Sequence, residues 1–587
     1  MIKRGAGKWG AIAGLAAIVL AVGFVRWPIP AGWVAASLNV TFRGAGLVTS
    51  PSGATFRLLP WPSLRLFDAR LDTPSGVNLA AAPEARLDLS LGDLIEGRLT
   101  PWRALLVNPI VTLDLAGFSG GGSALRAASE LAPLAKLTLA DGVLRVIDKN
   151  RGIDAIVESL QGRIDGLDTN RPTANLTAVW RDAPVQVSAS LSDGNAVAAG
   201  RASPFAFQLT SPVASVVING ELVGGASPAL TGNVLLAIRS VAGLARILRV
   251  EPPSYWASDD VAISAKMKAG LSSVGFSDAT ITSGGQKAQG ALQATGLNGR
   301  LAVSGTLDGE RLAVAPLFGS PVHAFNVDGA WSSAPFALGI PRGFDLDLRL
   351  SAGELDVYGV SLANAAVSAI LKDGALSLSV LDATLGGGPL QGDLQLACVG
   401  RNLEIGAKAK LADADIGAIL ADKGWPAPTG QGTAELAVST RGPSPAAAVA
   451  GLKGSAAFTW LGGAAPGVNL EEALRRSQRR SIDWTRELRP GQTAFDRLSL
   501  DLTIGDGVVH VARGELASHA LTANIEGAIK LASRELDLRV NAAQTSGAGG
   551  QPKDVPRLSL NIEGPWSSPT FRAAAPTEGA QKETESP

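Results

Sequence analysis

The sequence predicts a mainly β fold whose strands pair mostly antiparallel. Three observations support this fold class. Apolar and polar residues alternate in many short runs, which places the apolar side chains of a strand on one face. Glycine and proline account for 69 and 34 of the 587 residues, a density typical of chains with many turns. Asp-Gly pairs, the strongest short signal for a hairpin turn, precede or separate several runs.

The composition disfavours a nucleic-acid-binding protein. Lys and Arg number 52, and Asp and Glu also number 52, so the chain lacks the basic surplus that recruits phosphate backbones. Only 18% of the residues are charged and 46% are hydrophobic, which is a more apolar balance than that of an ordinary soluble domain. We therefore expect a protein that presents apolar surface and has no nucleic acid among its partners.

The first element is predicted to be one transmembrane helix, within a membrane anchor over residues 1–26. Residues 9–25 are uncharged and apolar, and about 17 helical residues just cross ~30 Å of hydrocarbon. Three cations precede this run, which predicts a cytoplasmic N-terminus. The rival interpretation is a signal peptide cleaved near the small residues 34–36; in both cases the rest of the chain is exported. The predicted anchor residues are Trp9, Leu15, Val19 and Phe24.

Strands with strict alternation follow through the exported part. Their Leu, Val and Ile side chains fall on one face, and Asp, Ser, Thr and Arg on the other. Hairpin turns or strand starts are predicted at four Asp-Gly pairs, which begin at Asp141, Asp308, Asp373 and Asp506. The clearest alternating runs are residues 87–91, 111–115, 344–350, 376–380, 498–504, 536–540 and 558–562.

Helical patterns are few and are predicted over residues 241–249, 416–423 and 470–489. The last is the clearest, because Asn469 and Glu472 stand in a capping-box arrangement at its start. Its arginines outnumber its acidic residues, so one interpretation is a basic helix resting on anionic lipid. The other is a solvated helix packed against the sheet by Leu470, Leu474 and Ile482.

Residue types used in catalysis are scarce. The chain has three His and one Cys, which excludes an intramolecular disulfide and a CxxC metal site. His510 and His519 lie nine residues apart, so strict alternation places them on one face, and a metal or acid-base site there is the enzyme alternative. We predict no enzymatic activity, no metal and no cofactor.

At these residues the sequence resembles the AsmA family of envelope proteins. The first similar stretch is residues 56–115, where Pro60 and Pro62 precede a strand of alternating leucines. The second is the glycine-rich repeat at residues 374–396, and the third is residues 430–542 with the closing residues 564–571. The predicted regions are 27–240 (AsmA- and chorein-like), 241–428 (middle repeats), 429–572 (AsmA-like) and 573–587 (a disordered tail).

The resemblance implies an elongated, curved antiparallel sheet that forms an open, U-shaped groove. In that fold the leucine-rich face lines the groove, and membrane phospholipids occupy it. The groove-lining candidates are Leu87, Leu89, Leu91, Leu113, Leu346, Leu348, Leu350, Leu376, Leu378, Leu498, Leu500, Leu502, Leu536 and Leu538.

The function that the resemblance implies is transfer of lipid between the inner and outer membranes of a Gram-negative envelope. The protein would be held in the inner membrane by its N-terminal helix, with the bulk of the chain in the periplasm and an outer-membrane or envelope protein as a further partner. The alternative is a non-catalytic scaffold that affects outer-membrane assembly, which requires a filled core rather than an accessible groove. A β-helical adhesin is a third hypothesis, which fits less well because its surface is more polar.

Overall fold

The computed structural model describes residues 22–41, 48–72, 78–114, 134–148, 153–225, 227–248, 260–297, 300–315, 324–326, 329–336, 344–421, 427–479, 490–545 and 557–574. The fold is mainly β with a few short helices, which confirms that part of the predicted fold class. The chain divides into two compact units. Unit 1 comprises residues 1–252, 258–285 and 289–303, and unit 2 comprises residues 253–257, 286–288 and 304–587. The regions predicted from the sequence remain predictions.

Among the described residues of unit 1, four helices follow the helical residues 22–24. Most of its strands pair with a strand that neighbours them in sequence. Its helices are Ala31–Thr41 (α1), Leu91–Ile95 (α2), Gly194–Ala198 (α3) and Val241–Leu248 (α4). Its strands are Trp27–Ile29 (β1), Val48–Ser50 (β2), Gly53–Arg57 (β3), Ser63–Asp72 (β4), Asn78–Leu89 (β5), Pro101–Val107 (β6), Ile110–Asp114 (β7), Lys136–Asp148 (β8), Ile153–Asp165 (β9), Thr173–Trp180 (β10), Ala183–Leu191 (β11), Ala202–Thr210 (β12), Ala214–Val223 (β13), Ala229–Ile238 (β14), Val261–Ala269 (β15) and Ser273–Ser283 (β16).

Two strands, Gln286–Leu297 (β17) and Arg300–Ala313 (β18), lie where the chain passes from one unit to the other. The helices of unit 2 are Ile416–Ala421 (α5), Pro445–Ala450 (α6) and Leu470–Arg479 (α7). Its remaining strands are Phe344–Val357 (β19), Val360–Lys372 (β20), Ala375–Leu385 (β21), Gly388–Val399 (β22), Asn402–Ala414 (β23), Gln431–Gly442 (β24), Lys453–Val468 (β25), Pro490–Gly505 (β26), Val508–Ala517 (β27), Leu521–Lys530 (β28), Glu535–Gln544 (β29), Arg557–Pro565 (β30) and Thr570–Ala574 (β31).

Strand pairing in unit 2 is a simple meander. Each strand from β19 to β31 pairs antiparallel with the next one along the chain. Unit 1 follows the same order from β8 to β16. The predicted antiparallel pairing is therefore confirmed, with one exception in unit 1, where β8 runs parallel to β6 and β7.

Two of the four Asp-Gly pairs form the predicted hairpin turns, and two do not. Asp373-Gly374 and Asp506-Gly507 form the turns that join β20 to β21 and β26 to β27. In both turns the φ angles of the two residues are positive, at 51° and 77° and at 46° and 74°, as a two-residue hairpin turn of the I′ type requires.

The other two Asp-Gly predictions are wrong because these pairs lie inside strands. Asp141-Gly142 sits in a bulge of β8, opposite the break between β6 and β7. Glycine is required there, since a Cβ on Gly142 would come within 2.8 Å of Pro109 Cγ. Asp308-Gly309 lies within β18, where Ser351 Oγ on β19 donates a hydrogen bond of 2.7 Å to Asp308 Oδ1.

The core of unit 1 forms beneath helix α1, which the sequence analysis did not predict. Val34 and Leu38 of α1 are 0% and 1% exposed and pack against leucines of β4 and β5. The strand predicted over residues 87–91 ends at Leu89. Ser90 then caps helix α2, accepting a hydrogen bond of 3.4 Å from the Asp93 amide, so the strand prediction is wrong at Leu91.

The core of unit 2 is formed by helices α5 and α7 lying on strands β23–β31. Asn469 caps α7 as predicted, because its Oδ1 accepts a 2.9 Å hydrogen bond from the Glu472 amide. Leu470 and Leu474 are 5% and 4% exposed within this core, which favours the packed helix over the lipid-resting one. Ile482 and the rest of the predicted helix to residue 489 lie outside the described residues.

Some predicted segments fall at or beyond the limits of the described residues. Trp9, Leu15 and Val19 of the predicted anchor lie outside them, whereas Phe24 lies inside and is 54% exposed. Residues 573 and 574 of the predicted tail belong to β31, where Ala573 is buried; residues 575–587 lie outside the described residues. Within the described residues, none of the helices has the length and apolar character needed to cross a membrane.

Replacing Leu38 with Ala should destabilise unit 1 by about 2–5 kcal/mol, because it removes a side chain that is fully buried between α1 and the sheet. Val40 on the same helix is 61% exposed, so Val40→Ala is the matched control. Hydrogen exchange of the β4 and β5 amides measures the difference. Equal protection in the two variants would contradict the packing of α1.

Candidate functional site

The most extensive feature of unit 2 is a continuous line of apolar residues across twelve strands, from β19 to β30. Each member is the direct cross-strand partner of the next, so all of them share one face of the sheet. We call this line the apolar row. Its members are Leu348, Ala369, Leu378, Leu394, Ala407, Val438, Gly454, Ile504, Val509, Ile529, Leu536 and Gly564.

Most of the apolar row is not packed into the interior of the unit, although its Val509 is 5% exposed. Its leucines are half-buried, and among the described residues its members neither belong to the buried clusters nor pack against them. Eleven steps between neighbouring strands at ~4.8 Å give the row a length of about 50 Å along the ladder. A fatty acyl chain of 16 carbons is less than half as long.

A second line on the same face is filled by the protein itself. This packed row lies six residues along β25 from the apolar row, about 20 Å away. All its members are buried, and helices α5 and α7 belong to the same cluster, through Ile416, Leu470 and Leu474. The packed row consists of Ala414, Gly432, Trp460, Leu498, Leu516, Ala523, Ala542 and Leu558.

One sheet face therefore has two zones that differ in what covers them. The zone of the packed row is a conventional core. The zone of the apolar row retains surface that water or an apolar ligand contacts, and contiguous apolar surface on a soluble protein usually marks a binding site. The alternation that predicts the strands does not distinguish the two zones, because both lie on the same face.

The predicted groove residues fall into four environments. Those that stay half-buried outside the clusters are Leu346, Leu348, Leu376, Leu378, Leu502, Leu536 and Leu538. Leu350 and Leu500 are half-buried but pack against buried clusters, and Leu113 is half-buried on β7. Leu87, Leu89 and Leu498 are buried in clusters, at 8%, 2% and 3% exposure, while Leu91 is 56% exposed on α2.

The opposite face of the same strands is polar. The residues that stand one position along each strand from the apolar row lie on this polar face, and they include Arg349, Asp393 and Lys408. Ion pairs here are exposed, for example Lys410 Nζ to Glu435 Oε1 at 2.7 Å, and such pairs contribute little to stability. The Arg513 guanidinium, which donates a hydrogen bond to Glu515, lowers the pKa of that carboxyl. Charge is thus confined to the face that water covers.

Unit 1 carries a comparable apolar line that the sequence analysis missed, although its Val216 and Ile263 pack against a buried cluster. It crosses nine strands from β8 to β16, and its only fully buried member is Leu139. Its strands are rich in Ala, Ser and Thr, so their alternation is weaker than in the leucine-rich runs of unit 2. The members are Leu139, Gly162, Leu176, Val187, Leu209, Val216, Leu236, Ile263 and Ile281.

The two histidines of the enzyme alternative do not form a site with each other. His510 is exposed on the polar face of β27, whereas His519 follows the end of that strand and its side chain is 91% exposed. Its Nδ1 lies 3.9 Å from Asp496 Oδ2. Within the described part of the chain, no three His, Cys, Asp or Glu side chains are grouped so as to hold a metal ion.

Chemically, the apolar row suits flexible hydrocarbon. It offers aliphatic side chains and backbone whose hydrogen bonds are already made within the sheet, so it has no fixed charge or orphan donor to hold a polar ligand in one place. An acyl chain laid along it loses water contact at ~0.8 kcal/mol per methylene. Such a surface favours binding without favouring one position along it.

Comparison with known proteins gives one family match. The model of the AsmA family matches residues 323–513, about a third of the chain, which includes the apolar row from Leu348 to Val509 and most of the second and third stretches of resemblance. The stretch at residues 56–115 lies outside the matched residues. Comparison with curated proteins and with solved structures gives no match. Over residues 323–513, the chain is similar to the AsmA family, in agreement with the resemblance found in the sequence.

Proposed function

We propose that this protein shields lipid acyl chains along its apolar rows and conducts phospholipid between the inner and outer membranes. The single observation that carries the proposal is the apolar row of unit 2, which crosses twelve strands without a charged residue and stays outside the buried clusters. A phospholipid with two 16-carbon chains exposes roughly 32 methylenes, which costs on the order of 25 kcal/mol in water. A row of aliphatic side chains removes much of that cost.

Movement along the row requires that no position bind much more tightly than its neighbours. Leucine, valine, isoleucine and alanine differ little in their contact with methylene groups, so the free energy of an acyl chain changes little from strand to strand. A fixed charge on the row would interrupt the movement of an acyl chain, because removing that charge from water is costly. The polar headgroup remains in water at the border of the face. The sequence has no phosphate-binding loop of the nucleotide-hydrolase kind, so we place any energy input in a partner protein.

The proposed location is the inner membrane, with the body of the chain in the periplasm. The apolar run at residues 9–25 supports this, since its length and preceding cations are those of a membrane anchor. Val34 is fully buried in the core of unit 1. Cleavage near residues 34–36 would detach this core residue or leave it at a chain end, which favours an uncleaved anchor over a signal peptide.

The scaffold alternative rests on the packed row. There the protein fills its own interior with Trp460, Leu498 and Leu558, as a structural protein does throughout. If the apolar row is covered by a partner protein instead of lipid, the chain would assist outer-membrane assembly without conducting lipid. The two functions differ in whether lipid occupies the apolar row.

Replacing Leu348 and Leu378 together with Asp should reduce the phospholipid that co-purifies with the protein by about tenfold, the effect of ~1.4 kcal/mol, because carboxylates are costly next to acyl chains. Lipid per protein is measured by mass spectrometry after extraction in mild detergent. The matched control is Ser377→Asp, on the same strand but on the polar face.

Thermal unfolding of the double variant should stay close to that of the control, because the two leucines lie outside the buried clusters. Unchanged lipid content in a folded double variant, or wild-type protein free of lipid, would contradict lipid conduction. Unfolding of the double variant alone would show that the row is packed, as the scaffold alternative requires.

Removing residues 1–26 should move the protein from the membrane fraction to the soluble fraction when export is supplied by another signal sequence. The measurement is immunoblotting of membrane and periplasmic fractions. Two results would contradict the anchor. One is a full-length protein in the soluble fraction, and the other is a mature N-terminus, determined by sequencing, near residue 36.

A further inference from the structure

Unit 1 carries a cluster of four arginines that shares one sheet face with two carboxylates, Glu84 and Asp88. Arg57 lies on β3, Arg65 on β4 and Arg86 on β5, and Arg26 directly precedes β1. Glu84 on β5 accepts hydrogen bonds from Arg65 and Arg86. Arg26 and Arg57 form no ion pair with any described residue. The cluster therefore holds an excess of positive charge.

Sheet register forces these like charges together. Arg65 and Arg86 are direct cross-strand partners, and like charges in that position are destabilising. Trp27 pairs with Phe56, so the same register places Arg26 beside Arg57. Folding brings the four guanidinium groups to one face of the sheet. Glu84 and Asp88 lie on the same face, but Asp88 is the cross-strand partner of a further arginine, Arg103, so positive charge remains in excess.

Three hydrogen-bonding atoms at this place are buried without a partner. They are Thr55 Oγ1, Arg57 Nε and Arg65 Nε. Thr55 is the cross-strand partner of Arg65, so the three atoms lie on the same face as the cluster. An unsatisfied buried donor costs free energy, and a ligand that accepts hydrogen bonds and carries negative charge would remove both this cost and the repulsion.

The pKa shifts at the cluster indicate a positive electrostatic potential, the sign that attracts an anion. Burial lowers the pKa of the Arg26 guanidinium, and repulsion from Arg65, Arg57 and Arg86 lowers it further, while Glu84 acts in the opposite direction. The hydrogen bond from Arg65 lowers the pKa of Glu84, as does the one from Arg86. Both shifts favour an added anion at the cluster.

Large apolar side chains are exposed next to the arginines. Trp61, in the loop that joins β3 to β4, is 68% exposed, and Leu58, which directly follows Arg57, is 40% exposed. Trp27 is also 49% exposed, but its cross-strand partner Phe56 packs against the core, so it lies on the other face. The loop that holds Leu58 and Trp61 is tied to the segment before β1 by a hydrogen bond of 2.8 Å from the Leu59 amide to the Gly23 carbonyl. An exposed tryptophan near arginines is typical of surfaces at the boundary between water and a bilayer.

We propose that Arg57, Arg65 and Arg86, with Arg26 and Thr55, form a binding site for the phosphate group of a phospholipid headgroup. Arginine suits phosphate because its planar guanidinium donates two parallel hydrogen bonds to the oxygens. The exposed Trp61, in the loop that follows Arg57, favours a bilayer surface over solution as the source of that phosphate. The site holds one end of unit 1 against the membrane.

This site is independent of lipid conduction along the apolar rows. Thr55, Arg65 and Arg86 alternate with Ala54, Leu66 and Ala85, which are buried in the core of unit 1, so the cluster lies on the opposite face of the sheet. Loss of phosphate binding would leave the acyl-binding proposal intact, and the reverse also holds.

The test uses the full chain in detergent and four soluble probes. These are dihexanoyl-phosphatidylglycerol below its micellar concentration, dihexanoylglycerol, which lacks the phosphate, glycerol 3-phosphate and inorganic phosphate. Binding is measured by isothermal titration for the wild type, for Arg57→Gln and for the control Arg70→Gln. Arg70 is an exposed arginine on the same strand as Arg65, five residues and about 16 Å farther along it.

The wild type and Arg70→Gln should bind dihexanoyl-phosphatidylglycerol and not dihexanoylglycerol, and Arg57→Gln should bind at least about tenfold more weakly, as expected for a charge-assisted hydrogen bond. Tighter binding of glycerol 3-phosphate or inorganic phosphate than of the lipid would overturn the headgroup assignment. Equal binding by Arg57→Gln and Arg70→Gln, or no binding by the wild type, would overturn the site.

Thermal unfolding without ligand separates binding from a structural role. Because Arg57 forms no ion pair and is repelled by its neighbours, Arg57→Gln should unfold at the same or a higher temperature than the wild type. A lower unfolding temperature would show that Arg57 supports the fold, and would overturn its assignment as a ligand-binding residue.

Discussion

The constraint on which this structure depends is the period of two in an extended strand. When alternation is kept from strand to strand and each strand pairs antiparallel with the next, all apolar side chains of a meander fall on one face. In unit 2 this gives a line from Leu348 to Gly564. A face of that length must be covered by something, since contiguous apolar surface in water is unfavourable. The protein covers only part of it.

The helices cover only part of the apolar face of the sheet, because they are few and short. Helices α5 and α7 lie over the packed row, and their Ile416 and Leu474 are buried there. The apolar row lies about 20 Å along the strands from these contacts. This division separates a zone that stabilises the fold from a zone that is free to bind. A single chain thereby keeps a stable core and an accessible apolar face on one sheet.

Sequence reasoning predicts the strands and their common face well where large aliphatic residues alternate, as at residues 376–380. It predicts poorly where the same short sequence pattern occurs in two kinds of local structure. Asp141-Gly142 has the composition of a hairpin turn, yet it forms a bulge because Pro109 packs against Gly142. Leu89 and Leu378 alternate identically in sequence, and only the position of α1 and its neighbours makes the first a core residue. Helix α1 was not predicted, because its small residues 34–36 were interpreted as a possible signal-peptide cleavage site.

The arginine cluster could not be predicted from the sequence for a related reason. Arg26, Arg57, Arg65 and Arg86 are spread over sixty residues of a chain with no net charge. Only the register of β1, β3, β4 and β5 brings them to one face. Long-range pairing of this kind is invisible to patterns that are read over a few residues.

The most direct test of the account is photocrosslinking in intact cells, with a photoreactive amino acid placed at Leu378 on the apolar row or at Ser377 on the polar face. The neighbouring positions share a strand and differ only in the face they occupy. The account predicts phospholipid crosslinked at position 378 and little or none at position 377. Equal labelling at both positions, or a crosslink from position 378 only to protein, would contradict a lipid-bearing apolar face.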